Sequence, residues 1–371
     1  MTAETKRMGK TSASWLSSVP EIAIPVLAVL TALAIGAIVI WASGADVIKA
    51  YKGLLEGAVG SVSNLTETLV IATPYTLAGL AVALAFRCGL FNIGVEGQFN
   101  MGALFSVYVG VAVKGLPVYI HLPLALLAGA LGGALWGAIP GFLKAKLGVH
   151  EVTNTIMLNY IAVKTMDFLV KNPLRDKASS IPRTPFIAKS ATLPLLLANH
   201  RLHAGLLIAI AAISVVYWLL WKTTLGFEIR TVGANPDAAK YAGMSVTRNF
   251  VLAMVLSGAL AGLAGAGEVL GTNHNLPASF ISGYGFDSIA IALLAKSHPF
   301  GILPAAFLWA ALRNGAGLMQ LRAGISIDLI NIVQALVIIF IAADEIIRRL
   351  YRIKKPKEEI RDVVFTRGWG R

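Results

Sequence analysis

Apolar residues occur in long blocks that are separated by short polar stretches. Each block is close to the roughly 20 residues that a helix needs to cross a membrane. Backbone groups in lipid must be paired within their own segment, so the blocks predict helices. Two further blocks, near 285–295 and 301–319, are shorter or interrupted by glycine. The eight clear blocks are 22–42, 65–86, 97–113, 120–142, 152–170, 204–221, 250–270 and 327–347.

The pattern predicts an all-α, polytopic membrane protein with about ten transmembrane helices. Ten crossings place both termini on one side of the membrane. That side then carries 20 Lys and Arg residues against 10 on the other, although six of those 10 lie in the loop 171–203. The positive-inside rule makes both termini cytoplasmic. We therefore expect a cytoplasmic tail (1–21), a transmembrane domain (22–347) and a basic cytoplasmic tail (348–371).

Composition excludes several classes of protein. Of the 371 residues, 56% are apolar and 14% are charged, whereas an ordinary soluble domain has about 25% charged residues. A soluble enzyme, a disordered chain and a disulfide scaffold are thereby excluded. The net charge of +13 does not indicate nucleic acid, because nine of the 32 basic residues follow the last apolar block beside the membrane surface. With one cysteine, Cys88, and six scattered histidines, no metal site is expected.

Two segments outside the apolar blocks are long enough to form structure. Segment 171–203 has four prolines and predicts an irregular outer loop. Segment 222–249 lies inside and contains a short helix, which Asn235 caps, Pro236 opens and Gly243 stops. This helix lies on the face where a cytosolic partner would dock.

Glycines predict close helix packing. In the fourth block four glycines recur at every fourth position, on one face of the helix, and a similar face occurs in the seventh block. Structural packing is the simple interpretation, and helices that slide or rock during transport are the alternative. The glycines that we assign to packing are Gly129, Gly133, Gly137, Gly141, Gly258 and Gly262.

Segment 87–102 is unusually polar for its place between two apolar blocks. A charge in lipid is costly, so Glu96 must face protein or water. One interpretation is a broken helix that lines a cavity, with Gly94 and Gly97 permitting the break. The other is a tight inner turn that leaves Glu96 solvated. Neither is favoured by the sequence alone.

Other polar residues lie in or near the blocks. In the fifth block an asparagine is more often an interhelical partner than a ligand group. Lys164 and Asp167 are spaced to pair, and Asp287 and Arg313 are a second candidate pair. Gly271–Asn275, in which His274 has an asparagine on each side, is expected to be a solvated outer loop.

No constellation of residues indicates catalysis. Gly9-Lys10-Thr11 resembles the end of a phosphate-binding loop, but Glu4 holds the place of the first glycine and no strand precedes it. No nucleophile lies near a base. The chain is therefore not expected to be an enzyme or to bind a cofactor. If it pumps a solute, the energy must come from a partner or a gradient.

Several segments together resemble one family. Segment 86–98 (FRCGLFNIGVEGQ) is similar to the signature of the nucleoside and simple-sugar branch of bacterial ABC importer permeases, within the branched-chain amino acid and ribose permease superfamily. Segments 233–243 (GANPDAAKYAG) and 257–265 (SGALAGLAG) resemble that family's coupling segment and the following helix. Segments 285–295 and 311–315 (ALRNG) also fit.

The resemblance implies a permease subunit in the bacterial cytoplasmic (inner) membrane. Its implied partners are a cytosolic ATPase that holds ATP and Mg, a second permease that forms a heterodimer, an extracytoplasmic binding lipoprotein and the lipid bilayer. The short inner helix would fit a groove in the ATPase, although the family's longer Glu-Ala-Ala loop is matched only in part. Residues assigned to coupling are Gly233, Asn235, Pro236, Asp237, Ala238, Ala239 and Gly243.

The resemblance favours nucleosides, especially purine nucleosides, as cargo. The alternatives are an ABC permease for a simple sugar and an ion-coupled secondary transporter that would use Glu96, Glu268 and Asp287. A membrane-embedded enzyme lacks a catalytic site. Amide groups can both donate to and accept from a base or a ribose. We therefore expect the substrate path to be lined by Asn92, Glu96, Gln98, Asn100, Asn154 and Asn159.

Overall fold

The structure, a computed structural model, describes residues 9–278, 280, 283–326, 328–342, 346 and 350–351, with side chains from residue 24 onward except at residue 342. Every regular element in these ranges is helical. The α-helices are α1 (Gly9–Ala42), α2 (Val47–Val59), α3 (Val62–Arg87), α4 (Val95–Ala112), α5 (Val118–Leu147), α6 (Glu151–Lys171), α7 (Gly205–Lys222), α8 (Thr224–Ala234), α9 (Pro236–Tyr241), α10 (Val246–Glu268), α11 (Tyr284–Leu294), α12 (Pro299–Ala323) and α13 (Asp328–Ala342).

Six of the described helices are long and apolar enough to cross a membrane: α1, α3, α5, α7, α10 and α12. The all-helical class is thereby confirmed. Helices α11 and α13 are apolar but shorter, and α4 and α6 carry polar residues in their first turns. The sequence patterns missed α2 and α8, because helices of 13 and 11 residues with one buried face do not form apolar blocks.

The chain divides into two compact units. The first contains the described residues up to Ala58 and from Ala311 onward. Within it α1 packs on α13, and α2 packs on the end of α12. A Cβ at Gly57 would lie 3.0 Å from the Cα atom of Gly315, and the side-chain amide of Asn314 donates to the carbonyl of Gly57 at 3.1 Å. Small residues therefore allow α2 and α12 to approach closely.

The second unit, Val59–Ala310, is built around α3. In the most apolar part of this helix 89% of the residues are buried, which marks it as the central helix of the unit. Helices α7, α10 and α11 pack on α3, and α4, α5 and α10 pack on one another beside it.

The two ends of the second unit carry different structures. At one end segment 171–203 is irregular, as predicted, with one short 3₁₀ turn at Lys189–Ala191. It is hydrogen-bonded to the chain that follows α10, for example from the N–H of Thr184 to the carbonyl of Leu276 at 3.0 Å. We call this the loop end. The other end carries α8, α9 and the last turn of α3, and we call it the α8–α9 end.

Candidate functional site

The chain re-enters the bundle between α3 and α4. Arg87 ends α3, and residues 88–94 are not helical. Asn92 lies in this connection and is fully buried. Its amide donates to Gln98 Oε1 at 3.0 Å and to Ser257 Oγ at 2.9 Å, and its Oδ1 accepts from the N–H of Gly94 at 2.9 Å. Three elements are thereby joined where backbone polar groups need partners within the protein.

The Glu96 side chain, in the first turn of α4, is buried and not solvated. Its carboxylate accepts hydrogen bonds from the N–H groups of Gly283 and Gly285 at 3.2 and 2.7 Å. These groups lie at the start of α11, and the positive end of a helix dipole favours a carboxylate. The interpretation of segment 87–102 as a turn with solvated Glu96 is therefore wrong, because α11 supplies partners that the sequence could not reveal.

Glu96 lies deep in the bundle. The 11 residues of α11 rise about 16 Å. At the far end of α11, the Arg87 guanidinium donates to the carbonyls of Lys296 and Ser297 at 3.1 and 3.0 Å. Glu96 is thus about 16 Å from that end. This distance is close to half the thickness of a hydrocarbon core of about 30 Å. Both α4 and α11 begin there, which is the pattern of discontinuous helices in transporters.

Aromatic rings surround the meeting point of α4 and α11. The Tyr75 hydroxyl donates to Asp287 Oδ2 at 2.5 Å, and its ring meets that of Tyr284 edge-on at 4.7 Å. The Phe99 ring lies 5.7 Å from Tyr284 and 6.0 Å from Phe280. Tyr75 was not singled out in the sequence, because a tyrosine in an apolar block carries no signal of its partner.

The remaining predicted path residues fall into two kinds. Asn159 bridges α6 to α4: its Oδ1 accepts from the N–H of Gly97 at 2.8 Å, and its amide donates to the carbonyl of Ile93 at 2.9 Å. Asn100 and Asn154 each keep a buried atom, Oδ1 and Nδ2, with no hydrogen-bond partner among the described residues. These two atoms retain capacity for another polar group.

The glycine face of α5 lies directly against α10. A Cβ at Gly133 would lie 2.1 Å from the carbonyl oxygen of Gly258, and one at Gly129 would lie 2.6 Å from the Ala266 Cβ. Gly137 and Gly141 face Met254 in the same way. Gly102 of α4 meets α10 at Gly262, where a Cβ would lie 2.2 Å from the Cα atom.

The short helix predicted in segment 222–249 is present as α9, preceded by α8. Asn235 Oδ1 accepts from the N–H groups of Asp237 and Ala238 at 3.0 and 3.1 Å. Gly243 ends the turn with φ +81°, in the left-handed region that favours glycine. Gly233 packs on α3, since a Cβ there would lie 2.2 Å from the carbonyl oxygen of Arg87. Only Ala239 of the short helix is buried, and Pro236, Asp237 and Ala238 are exposed.

A groove of about 440 Å³ lies beside α9. It is open to solvent, and Phe227, exposed by 54%, forms part of its wall. The other residues that line it are Thr224, Glu228, Ala242, Gly243, Met244, Ser245 and Arg248.

One of the buried histidines at the loop end is His203, which the sequence did not single out. Its Nδ1 accepts from the N–H of Gly205 at 3.1 Å, and its ring presses on Gly271 in the π-turn Val269–Asn273. Burial, together with the charges of His274 and Arg201, lowers the pKa of His203 to about 4. His203 is therefore neutral at neutral pH.

Two smaller predictions concern polar residues near the blocks. Asp167, which the sequence spacing paired with Lys164, forms an ion pair with Lys171 at 3.3 Å, one turn along α6. The segment around His274 packs on the loop 171–203, since the N–H of Ile187 donates to the His274 carbonyl at 2.9 Å. The histidine Nδ1 is buried, so the expectation of a solvated loop is wrong for this residue.

Most of the chain matches one known protein family. Residues 64–342 match the family described as branched-chain amino acid transport system / permease component. The match covers more than half of the chain. The protein belongs to this permease family. It is a multi-pass membrane protein of an ABC transporter, and ATPase activity resides in a separate partner subunit.

Three relatives match the permease over most of its length. It is 44% identical over 329 residues to the guanosine ABC transporter permease protein NupP of Bacillus subtilis, covering 88% of this chain and 94% of the relative. It is 38% identical to the glucose ABC transporter permease protein TsgB13 of Haloferax volcanii, over 89% of each chain. It is also 38% identical to the nucleoside ABC transporter permease protein NupB of Lactococcus lactis, over 88% of this chain and 92% of the relative. No solved structure matches the permease.

Proposed function

We propose that this permease is the transmembrane subunit of an ABC importer that moves nucleosides, with purine nucleosides as the first candidates. The observation that carries this proposal is the 44% identity to a guanosine permease across nearly the full length of both chains. The glucose relative, at 38%, supports a simple sugar as the second candidate.

We infer alternating access around the point where α4 and α11 begin. Glu96 joins the two helix starts near half the thickness of the membrane, so a small movement of α11 changes what the first turns of α4 face. Among the six predicted path residues, Asn100 and Asn154 have unused hydrogen-bonding atoms and are favoured as direct contacts. Asn92, Gln98 and Asn159 support the re-entrant segment, and Glu96 holds α11.

The coupling segment 222–249 supports an ATP-driven cycle. In α9 a capped, exposed helix sits beside an open groove, where a cytosolic subunit can bind both at once. The last turn of α8, directly before α9, lies against the end of α3 through the close contact of Gly233 with Arg87. Movement of α8 and α9 is therefore transmitted to the central helix of the second unit.

We propose the remaining assignments on the resemblance and the charge distribution. These are about ten crossings with both termini in the cytoplasm, location in the bacterial cytoplasmic membrane, and a complete importer with a second, different permease and a binding lipoprotein. Cofactors are expected only on the ATPase, as ATP and Mg.

Uptake measurements in cells that express the complete importer test the proposal. Labelled guanosine should enter, unlabelled nucleosides should compete better than glucose or ribose, and deletion of the ATPase should abolish uptake. Uptake that persists without the ATPase and collapses with an uncoupler would contradict the ABC mechanism and favour ion coupling through Glu96, Glu268 or Asp287. Competition by glucose alone would favour the sugar alternative.

A further inference from the structure

A cluster of aromatic and basic side chains lies at the α8–α9 end, around Trp221. The Tyr217 and Trp221 rings stack at 5.4 Å with an interplanar angle of 16°, and the His298 ring lies 5.3 Å from Trp221. The guanidinium carbons of Arg87 and Arg230 lie 5.3 and 5.6 Å from the centre of the Trp221 ring. We call these five residues the Trp221 cluster.

The two arginines are held in place by backbone carbonyls. Arg87 Nε donates to the carbonyl of Ser297 at 3.0 Å, and Arg230 Nε donates to that of Leu220 at 2.9 Å. Cation–π contact with the indole adds to this support. A guanidinium that is fixed at Nε still presents further N–H groups in a planar fork, which suits the oxygens of a phosphate.

The cluster lies where three candidate membrane spans end or begin. Two candidate spans, α3 and α7, end at Arg87 and Lys222, and a third, α12, begins at Pro299. The surface next to the cluster is apolar and exposed: Trp218 is exposed by 59% and Phe300 by 53%. Exposed aromatic residues at the ends of spans are typical of the membrane interface.

The charge at this level is positive. Lys222 and Lys296 are exposed beside the cluster, and no carboxylate of the described residues pairs with Lys222 or Arg230. Burial and the Arg87 charge lower the pKa of His298, so the imidazole is neutral at neutral pH and the positive charge rests on Arg and Lys.

We propose that the Trp221 cluster binds the headgroup of an anionic phospholipid. The phosphate lies against the guanidinium of Arg230 and the ammonium of Lys222, and the acyl chains follow the exposed face of α7. Lys222 and Arg230 belong to segment 222–249, but neither lies in α9 or lines the groove beside it. Lipid bound here holds the ends of α3 and α7 and the start of α12 together.

The test uses the complete transporter, purified with its ATPase, in nanodiscs of phosphatidylcholine with and without phosphatidylglycerol. Phosphatidylglycerol that stays bound is measured by native mass spectrometry. Each removed charge should weaken binding about fivefold, since a basic residue near an anionic surface contributes about 1 kcal/mol. We therefore expect this loss for Lys222→Gln and for Arg230→Gln, and only a small loss for Arg230→Lys.

Lys146→Gln is the matched control, because Lys146 is an exposed lysine at the same end of the bundle. It should leave phosphatidylglycerol binding unchanged, and millimolar inorganic phosphate should not displace the lipid. Equal retention by wild type, Lys222→Gln and Arg230→Gln would overturn the proposal. So would variants that keep the lipid but lose the ATPase, since the cluster would then be a protein contact. If Arg230→Gln fails to fold, Lys222→Gln decides alone.

Discussion

The Glu96 carboxylate has a structural task that can be separated from transport. It accepts from two backbone N–H groups at the start of α11, and removal of the side chain leaves the buried N–H of Gly285 and the partly buried N–H of Gly283 without this acceptor. An unsatisfied buried polar group costs about 1–3 kcal/mol.

Glu96→Ala should therefore lower the thermal unfolding midpoint of the purified permease more than Glu96→Gln does, because glutamine keeps one acceptor oxygen. The control is Glu67→Gln, which breaks a partly exposed ion pair with Arg201. An exposed pair contributes about 0–1 kcal/mol, so this control should change the midpoint little. Equal midpoints for Glu96→Ala and wild type would mean that the α11 contact does not stabilise the fold.

His203 makes stability depend on pH. Burial lowers its pKa to about 4, whereas an unfolded histidine has a pKa of 6.5. Between pH 6.5 and 4 the unfolded chain binds more protons, so stability is full above 6.5 and falls as the pH drops towards 4. Over the whole interval the loss is about 3 kcal/mol.

The measurement is the unfolding midpoint at a series of pH values, for wild type and His203→Gln. Glutamine can accept from the N–H of Gly205 but does not titrate, so the variant should show a shallower decline below pH 6.5. His150→Gln, at an exposed site, should keep the wild-type slope. A His203→Gln slope equal to that of wild type would show that another group causes the acid sensitivity.

Sequence reasoning at the residue scale identified polar residues but not their partners. Glu96, Asn92 and Asn159 stood out because charge and amide groups are costly in lipid. Their partners are mostly backbone groups, such as the N–H of Gly285, and a backbone group has no signature in the sequence. His203 was missed for a related reason: a histidine in a polar loop gives no sign that the loop will bury it.

At the scale of elements, the contact between α5 and α10 depends on the absence of side chains. The glycines bring the two backbones together, so even a methyl group must push the helices apart. The four-residue spacing predicted this face, but only the structure shows which helix it meets.

Gly133→Ala should destabilise the permease by about 1–3 kcal/mol, the usual cost of overpacking. Gly267→Ala is the matched control in α10, since a Cβ there meets no atom within 4 Å. Alanine also favours a helix over glycine, so this control should be neutral or slightly stabilising. Thermal unfolding of the two variants compares them directly. Equal changes in the unfolding midpoint would show that the close contact between α5 and α10 is not the cause of the destabilisation.

Helix α9 depends on its cap, because six residues are too few for a stable helix in water. Asn235→Ala should cost about 1 kcal/mol of local stability. If α9 couples ATP hydrolysis to transport, the complete importer should keep its ATPase rate and lose nucleoside uptake. Asn235→Ser, which restores a capping oxygen, should recover uptake. An unchanged ratio of uptake to hydrolysis in Asn235→Ala would contradict the coupling role.

The sequence predicted most helices, and it placed the starts of α4 and α11 to within two residues, but it did not predict the depth at which these two helices begin. A count of apolar residues treats each block as a full crossing, whereas these two helices start about halfway through the bundle. Two features place these helix starts inside the bundle: the polar first turn of α4 and the glycines around the start of α11. Neither has this effect until the two helices pack together.

At the scale of the whole molecule, the permease is one part of an assembly. Purification of the tagged chain from its own membranes in mild detergent should recover an ATPase, a second permease and a lipoprotein. The subunit ratio distinguishes a heterodimer of permeases from a homodimer. Recovery of this chain alone, in a form that still transports, would contradict the ABC assignment.

The bond between Glu96 and Gly285 also constrains how the chain is made. Its partners are 189 residues apart, so the ribosome completes α4 long before the amide groups of α11 exist. During that interval the translocon holds a helix whose Glu96 carboxylate still lacks the two N–H groups that later donate to it. We expect α4 to enter the lipid late, together with α11, and chains truncated before residue 283 to be targets for membrane proteases.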